Sequence, residues 1–299
     1  MSPARVVRCA GAPRDLGLDQ GQALRDAVRA SVRPSRELLP GSRSARAWRD
    51  LRSYFPHHAE RTLGLSLGAR VPTRALVARL GELLAGDGGA AAVVSSERAP
   101  GALVGRCFRA GRASDLVVRH SAPDNDHRSV ELAPAWCAAA AIGVNEHGLA
   151  ATATALRAPE ALLGGCAAPA AVLVQDVLQR FDALDKAVEW ALRRPAGGHA
   201  RLLLADGSGR AVAVGIEGRK RGVVGAGESF LAGLGTPEAV AALEKGAAER
   251  RNFDAAALAD LLGAAVAARG LVAIADPAGR RLGLALGDAI EWHAALPAG

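Results

Sequence analysis

The order of helical and strand-like segments constrains the fold of this 299-residue chain more than any other feature. Apolar residues recur at helical spacing through much of the first third, and short β-branched or alternating runs follow. Two more groups of helices follow, each with a group of strands after it. Tight turns join many of the strands within a group. Because no strand–helix–strand alternation runs throughout, we expect α+β layers rather than a doubly wound parallel sheet.

The local patterns predict individual elements. Predicted helices cover 19–32, 44–63, a segment from Val71-Pro72-Thr73, 172–180, 184–193, a segment from Thr236-Pro237, and 254–266. Predicted strands cover 90–95, 102–108, 114–120, 129–132, 137–144, 149–156, 200–205, 211–216, 271–275, 281–286 and 289–293. Asp182 is the expected N-cap of helix 184–193. No repeat or low-complexity linker interrupts residues 1–299, so we expect one domain.

Composition and charge are those of a globular protein with a basic surface. Hydrophobic residues make up 50% of the chain and charged residues 22%, and the net charge is +7. The arginines are scattered, and the clusters Arg193-Arg194 and Arg219-Lys220-Arg221 are short and lack interleaved aromatic residues. They therefore predict a solvated surface, and a nucleic-acid partner is not expected.

Metal sites, cofactors and membrane spans are not expected from the sequence. None of the four cysteines forms a CxxC pair, which argues against a zinc site: Cys9, Cys107, Cys137 and Cys166. Residues 225–235 lack the spacing of a dinucleotide-binding loop. The first twelve residues lack the apolar core of a secretory signal, and no apolar run reaches the roughly 20 residues of a membrane span. We expect a cytoplasmic protein with reduced thiols.

Several segments resemble one known family. Ile142-Gly143-Val144-Asn145-Glu146-His147-Gly148-Leu149-Ala150 resembles the G-x-N-E-x-G-L hairpin of the acyl-CoA:6-aminopenicillanic-acid acyltransferases, also classed as C45 peptidases. Residues 202–209 resemble a second hairpin of that family, and residues 11–21 resemble its entry into the first helix. Phe55-Pro56 and residues 64–69 resemble its propeptide-like region. These pieces follow the family's order over nearly the whole chain.

The resemblance implies an N-terminal-nucleophile-hydrolase fold, which is a four-layer αββα sandwich. Residues 1–89 would form a helical propeptide-like region, and residues 90–299 would form the core. In that family the precursor cuts itself before a cysteine, whose thiol becomes the nucleophile and whose new amino group acts as its base. Here the cysteine position falls on Ala90, or on Ala91 if the register shifts by one. Alanine has no thiol or hydroxyl and cannot attack an acyl group.

Other positions that carry chemistry in the family are also changed. The family's strand Asn and Asp fall on Cys107 and Arg109, its later oxyanion-type Asn on Arg201, and its partner-strand Glu near Gly215. The T-N-H-like segment falls on residues 231–236. This joint loss indicates that the family chemistry is absent. The predicted lining of any remaining binding pocket is Ala90, Ala91, Arg106, Arg109, Asn145, His147 and Arg201.

Cys107 offers an alternative nucleophile. Arg106 and Arg109 flank it and would favour a thiolate, but strand alternation leaves only Arg109 on its face. A packed core thiol is the competing interpretation, and Cys137 and Cys166 are interpreted as structural. Ser95 and Ser96 offer hydroxyls without a base nearby.

Three histidine segments have both a functional and a structural interpretation. His147 is a ligand or catalytic candidate, although the hairpin motif has a turn residue there. Asp124-Asn125-Asp126-His127 resembles a metal-binding loop, but it lacks the downstream Gly and Glu of a calcium loop, so we expect a solvated turn. His57-His58 would point to adjacent faces of a helix, which is poor geometry for one metal ion.

Three functional hypotheses follow. The favoured one is an unprocessed, catalytically degenerate homologue that binds a small acyl or amide molecule or a partner; a homo-oligomer is compatible with it. The alternative is an active amide hydrolase or acyltransferase with a rearranged site that uses Cys107 or an acid–base pair that the sequence does not identify. The second alternative is a basic scaffold or nucleic-acid-binding protein.

Overall fold

A computed structural model describes residues 5–32, 42–84, 89–109, 115–156, 168–226, 229–233, 236–266, 269–286 and 289–295. These residues form nine helices: α1 Pro13–Ala23, α2 Arg25–Ser31, α3 Arg43–Tyr54, α4 Pro56–Ala69, α5 Thr73–Leu84, α6 Ala170–Arg180, α7 Leu184–Arg193, α8 Pro237–Ala248 and α9 Ala255–Ala265. They also form fourteen strands: β1 Arg5–Gly11, β2 Ala90–Val94, β3 Leu103–Arg109, β4 Leu116–Pro123, β5 Ser129–Pro134, β6 Ile142–Asn145, β7 Leu149–Leu156, β8 His199–Asp206, β9 Ala211–Glu217, β10 Lys220–Ala226, β11 Phe230–Ala232, β12 Arg269–Asp276, β13 Arg281–Leu286 and β14 Ala289–Ala294.

The strands form two sheets. Sheet one has eight strands in the order β1-β4-β5-β6-β7-β8-β9-β10, and sheet two has six in the order β11-β2-β3-β12-β13-β14. β1 runs parallel to β4, whereas the pairings along the hairpins, such as β7 with β8 and β12 with β13, are antiparallel. This pattern confirms the expected α+β class.

Three buried apolar layers hold the sheets and helices together. The inner faces of the two sheets meet through side chains such as Val93, Val118 and Leu203. The other face of sheet one packs against helices of the α1–α7 group. The outer face of sheet two packs against α8 and α9, for example through Leu258. Because side chains alternate along a strand, this layering decides which residues of each strand can reach a common site.

Helices α1 and α4 cross at backbone contact distance. Two glycines on each helix, four residues apart, line the crossing: Gly17, Gly21, Gly64 and Gly68. A Cβ at Gly64 would lie 1.9 Å from the carbonyl oxygen of Arg14, and one at Gly17 would lie 1.9 Å from that of Arg61. The close approach therefore requires glycine, and it holds α4 near the helix-covered face of sheet one.

Several boundaries differ from the predictions. The predicted helix 44–63 is two helices, because Pro56 starts α4 and Phe55 before it has non-helical dihedrals. β1, within the predicted helical region, and the strands β10 and β11 were not predicted. Asp182 is not an N-cap: Ala183 holds that position without a side-chain bond, and Asp182 pairs with Lys186 instead.

Elements with strong local signals match the prediction. The bounds of α7, β7 and β13 are those predicted. The Thr236 hydroxyl accepts a hydrogen bond from the amide of Ala239, and the Asp254 carboxylate accepts one from the amide of Ala257. These bonds cap α8 and α9. Among the described helices, none has the length and apolar character needed to cross a lipid bilayer.

Candidate functional site

Strand alternation decides which alanine faces the space between the sheets. Ala91 lies in the layer between the two sheets, whereas Ala90 lies in the layer between sheet two and α8–α9. In the β2–β3 register, Ala91 is opposite Arg106 and Ala90 is opposite Cys107. Of the two candidate nucleophile positions, Ala91 is therefore the one on the inner face.

Arg106 extends from β3 into the space next to Ala91. Its Nη1 donates to the carbonyl oxygen of Ala141 at 3.0 Å, to the Thr152 hydroxyl at 3.5 Å and to the carbonyl oxygen of Ala153. Its guanidinium carbon lies 4.8 Å from the ring centroid of Phe108. The side chain is 7% exposed, so it fills this space and joins sheet two to sheet one.

Arg201 lies on β8 of sheet one and also faces the space between the two sheets. It pairs with Thr154 across β7–β8 and with Gly215 across β8–β9, and its Nη1 donates to the carbonyl oxygen of Ala232 at 2.6 Å. The amide of Gly233 donates to the carbonyl oxygen of Ala91 at 2.7 Å, which joins β11 to the same region. We define the inter-sheet cluster as five residues: Ala91, Arg106, Thr152, Thr154 and Arg201.

None of the cysteines among the described residues reaches the inter-sheet cluster. Cys107 is fully buried in the outer layer with α8 and α9, and its Sγ lies 3.8 Å from the carbonyl oxygen of Phe108. Cys9 and Cys137 lie in the layer between sheet one and the helices, and burial raises the pKa of both thiols. Arg109 is exposed at the end of β3, and Cys166 lies outside the described residues.

The hairpin residues Asn145 and His147 lie away from Arg201. The Asn145 Nδ2 donates to the carbonyl oxygens of Leu178 and Phe181 at 3.1 and 2.8 Å. Its Oδ1 accepts from the amides of His147 and Leu149 at 3.0 and 2.9 Å. Asn145 thus shapes the turn and attaches it to the end of α6, while the His147 side chain is exposed.

A dense set of hydrogen bonds lies on the opposite, helix-covered face of sheet one. We define the helix-side network as seven residues: Gln20, Arg61, Arg119, Ser121, Ser129, Glu131 and Gln175. Arg119 binds the Glu131 carboxylate through Nε and Nη2 at 2.7 and 2.6 Å, and both side chains are fully buried. The Oε1 atoms of Gln20 and Gln175 accept from Arg119 at 2.7 and 2.6 Å.

Charge pairing outweighs burial in this network. Burial alone would raise the pKa of the Glu131 carboxyl, but Arg119 and Arg61 lower that pKa to about 2. Burial and the neighbouring Arg119 lower the pKa of Arg61 to about 10. The Arg61 Nη2 donates to the Ser121 hydroxyl at 3.0 Å. The network is therefore charged at neutral pH and fixes α1, α4 and α6 onto sheet one.

His57 and His58 converge on one carboxylate of α6. Their Nε2 atoms lie 2.6 and 2.7 Å from the same oxygen, Oδ1 of Asp176. The two ring centroids are 4.4 Å apart, because both side chains bend toward Asp176. Burial lowers the pKa of His58 to about 4, and Asp176 offsets part of that effect. The pKa of the Asp176 carboxyl is also lowered, because its interactions with His58 and His57 outweigh the opposite effect of burial.

The two basic clusters of the sequence meet around one surface cavity of about 270 Å³. Arg193 and Arg194 approach from the end of α7, Arg219 from the β9–β10 turn, and Arg221 from the start of β10. Tyr54 at the end of α3 completes one wall. The sequence pattern could not join these clusters, because 23 residues separate Arg194 from the turn that begins at Gly218.

Comparisons with known proteins agree with this architecture. No family model matches the chain, and no curated protein matches its sequence. A solved structure similar to it is the Caenorhabditis elegans ortholog of N-acylethanolamine-hydrolyzing acid amidase, with 12% identity over 63% of this chain and 93% of that chain and a TM-score of 0.52. The fold is an N-terminal-nucleophile-hydrolase fold. The predicted αββα sandwich is thereby confirmed, and at this identity the similarity concerns the fold alone.

Two bacterial structures are also similar to the chain. One is a mutant of the conjugated bile acid hydrolase from Clostridium perfringens, with 12% identity over 68% of this chain and 92% of that chain and a TM-score of 0.46. The other is the penicillin V acylase from Agrobacterium tumefaciens, with 15% identity over 70% and 78% and a TM-score of 0.41.

Proposed function

We propose that this chain is an unprocessed, catalytically inactive relative of the amide hydrolases and acyltransferases with this fold, and that it keeps a binding role. The observation that carries the proposal is Ala91 on the inner face of β2, beside the buried Arg106. A methyl group cannot attack the preceding peptide bond or an acyl substrate. Loss of the nucleophile alone lowers turnover on the order of 10⁶-fold in acyl-transfer enzymes.

The contacts of Arg106 support the loss of catalysis at Ala91, and a ligand of the proposed binding role would have to bind outside the inter-sheet cluster. A substrate that entered next to Ala91 would have to displace the guanidinium from the carbonyl oxygens of Ala141 and Ala153. A buried polar group left without a partner costs about 1–3 kcal/mol. The inter-sheet cluster therefore acts as a structural contact between the sheets.

A rearranged site based on Cys107 is the weaker alternative. The thiol is fully buried among apolar side chains on the opposite face of β3 from Arg106. Arg109 lies at the exposed end of the strand, two residues beyond the buried thiol. A substrate would need to enter the layer below α8 and α9 before it could meet this sulfur.

The ligand class of the favoured proposal is a small molecule of acyl or amide type. It follows from the resemblance of the hairpin 142–150 and from the name of the nematode enzyme, which hydrolyses N-acylethanolamines. The test is a panel of N-acyl amides assayed for hydrolysis with the wild type, Cys107→Ala and Ala91→Cys. We expect no turnover by any of them, since Ala91→Cys leaves Arg106 in place. Turnover by the wild type that Cys107→Ala abolishes would favour the rearranged site.

A second candidate function is the binding of a small anion in the arginine-lined cavity. Four arginines and Tyr54 line a cavity of about 270 Å³, slightly below the range of about 300–1,000 Å³ that is typical of small-molecule sites. Titration with pyrophosphate and with a single-stranded oligonucleotide distinguishes the two ligands. We expect Arg219→Ala to weaken pyrophosphate binding and the surface control Arg14→Ala to leave it unchanged. Oligonucleotide binding that falls steeply with salt would favour the nucleic-acid alternative.

A further inference from the structure

Two segments that are separate in the sequence meet at one end of sheet one. β5 pairs with β6 so that Ser129 lies opposite Asn145, which places the loop before β5 beside the turn after β6. The loop supplies His127, and the turn supplies Glu146 and His147. One ligand atom from each of these three residues lies within 4.8 Å of the other two.

Backbone hydrogen bonds fix both segments in place. The amide of His127 donates to the carbonyl oxygen of Gln179 in α6 at 2.7 Å. Glu146 and Arg128 bond twice: the Glu146 amide donates to the Arg128 carbonyl oxygen at 2.9 Å, and the Arg128 amide donates to Glu146 Oε1 at 3.0 Å. With Asn145 holding the turn, the three side chains start from positions that need little reorganisation.

The spacing of the ligand atoms suits one small ion. His147 Nε2 lies 3.0 Å from His127 Nδ1, and that Nδ1 lies 3.8 Å from Glu146 Oε1. Ligand atoms about 2.0–2.1 Å from a tetrahedral zinc ion are about 3.3 Å apart, a value between these two distances. Small side-chain rotations would bring all three atoms to that separation.

The atoms of the cluster of His57, His58 and Asp176 lie closer together, although the 3.0 Å between His147 and His127 is also a hydrogen-bond length. Both imidazole nitrogens already lie 2.6 and 2.7 Å from one carboxylate oxygen, which are hydrogen-bond lengths. An ion could enter only if these atoms separated by more than half an ångström beside the buried side chains of His58 and Asp176. The geometry therefore favours hydrogen bonding at this cluster and metal binding at the exposed one.

We propose that His127, Glu146 and His147 bind a divalent transition-metal ion, with Zn²⁺ as the best fit. Two imidazoles and one carboxylate suit Zn²⁺, Co²⁺, Ni²⁺ or Cu²⁺, whereas Ca²⁺ and Mg²⁺ prefer oxygen ligands. His147 is exposed, so a water molecule can complete the coordination from the solvent side. No metal site was expected from the sequence, because His147 was interpreted as a turn residue and residues 124–127 as a solvated turn. The β5–β6 pairing brings these two segments together. This proposal is independent of the proposed function.

The test is metal titration of the full-length protein after treatment with a chelator. We expect one Zn²⁺ per chain in competition with a chromophoric chelator, and a visible absorption band when Co²⁺ is added. His127→Ala and His147→Ala should each weaken Zn²⁺ binding at least about 100-fold, since loss of even an outer-shell partner costs about 10–100-fold. Both variants should also lose the Co²⁺ band.

His199→Ala is the matched control. The His199 side chain is 30% exposed and lies 4.0 Å from a glutamate, Glu217, and the His127 side chain is 29% exposed. We expect this control to bind Zn²⁺ like the wild type, and far-UV circular dichroism checks that all three variants are folded. The proposal is overturned if the wild type binds Zn²⁺ more weakly than about 1 mM. Binding that survives in both test variants, or falls equally in the control, also overturns it.

Discussion

The two faces of sheet one bury arginines in different ways. On the inner face, Arg106 reaches across from sheet two and donates to the neutral oxygens of Ala141 and Thr152. On the helix-covered face, Arg119 is paired with the Glu131 carboxylate and with two glutamine oxygens. The inter-sheet cluster, where the family resemblance predicts the catalytic residues, thus contains no carboxylate. The helix-side network, which contains the Glu131 carboxylate, lies on the other face of sheet one. Buried charge in this chain marks a structural junction.

The largest expected effect comes from breaking that junction. Glu131→Ala leaves the fully buried Arg119 without its counter-charge, and loss of one partner of a buried pair costs about 3–5 kcal/mol. The free energy of unfolding from urea denaturation measures it. The exposed pair Arg14–Glu60 is the control, and Glu60→Ala should cost at most about 1 kcal/mol. Equal losses in the two variants would contradict the contrast between buried and surface charge.

Acid should weaken the helix-covered face in a defined pH window. The pKa of His58 is about 4 in the fold, below the ordinary value of 6.5, so the unfolded chain binds more protons between these values. The free energy of unfolding should therefore fall as pH drops from 6.5 to 4, by about 3 kcal/mol. His58→Gln should flatten this slope. A variant slope as steep as that of the wild type would exclude His58 as its source.

A substitution at the crossing of α1 and α4 tests whether the two helices need to pack at backbone contact distance. Gly64→Ala would place a Cβ 1.9 Å from the Arg14 carbonyl oxygen, so the helices must move apart. We expect a loss of about 3 kcal/mol. Gly222→Ala is the control, because its Cβ would meet nothing within 4 Å. Thermal denaturation compares the two variants, and a Gly64→Ala protein as stable as the control would contradict the close crossing.

Substitution of Arg106 on the inner face should lower the free energy of unfolding less than Glu131→Ala in the helix-side network. Arg106→Met keeps most of the side-chain volume but removes the hydrogen bonds to Ala141 and Ala153, with an expected cost of about 2 kcal/mol. Arg109→Met, at the exposed end of the same strand, should change stability by at most about 0.5 kcal/mol. Urea denaturation of both variants tests the structural role of Arg106, and indistinguishable values would remove it.

Local sequence signals predicted much of the fold but little of the buried chemistry. β7 and α7 could be predicted because turn residues and hydrophobic periodicity in or next to each element mark its bounds. β1 was missed because its partner β4 lies more than 100 residues away. Asp176 gives no local sign that two histidines of α4 bind it.

The choice between Ala90 and Ala91 also needed the structure. A shift of one residue moves every side chain of a strand to the other face, and the sequence fixes the register only to within a residue. The observed register puts Ala91 and Arg106 on the inner face and Ala90 and Cys107 on the outer one.

Intact-mass measurement of the purified protein tests the central claim most directly. If Ala91 stands in place of the nucleophile and the chain is unprocessed, a single species of 30.5 kDa should be present. Two fragments that separate at Gly89, Ala90 or Ala91 would contradict the account, because they would require a self-cleaving chemistry that these residues do not supply.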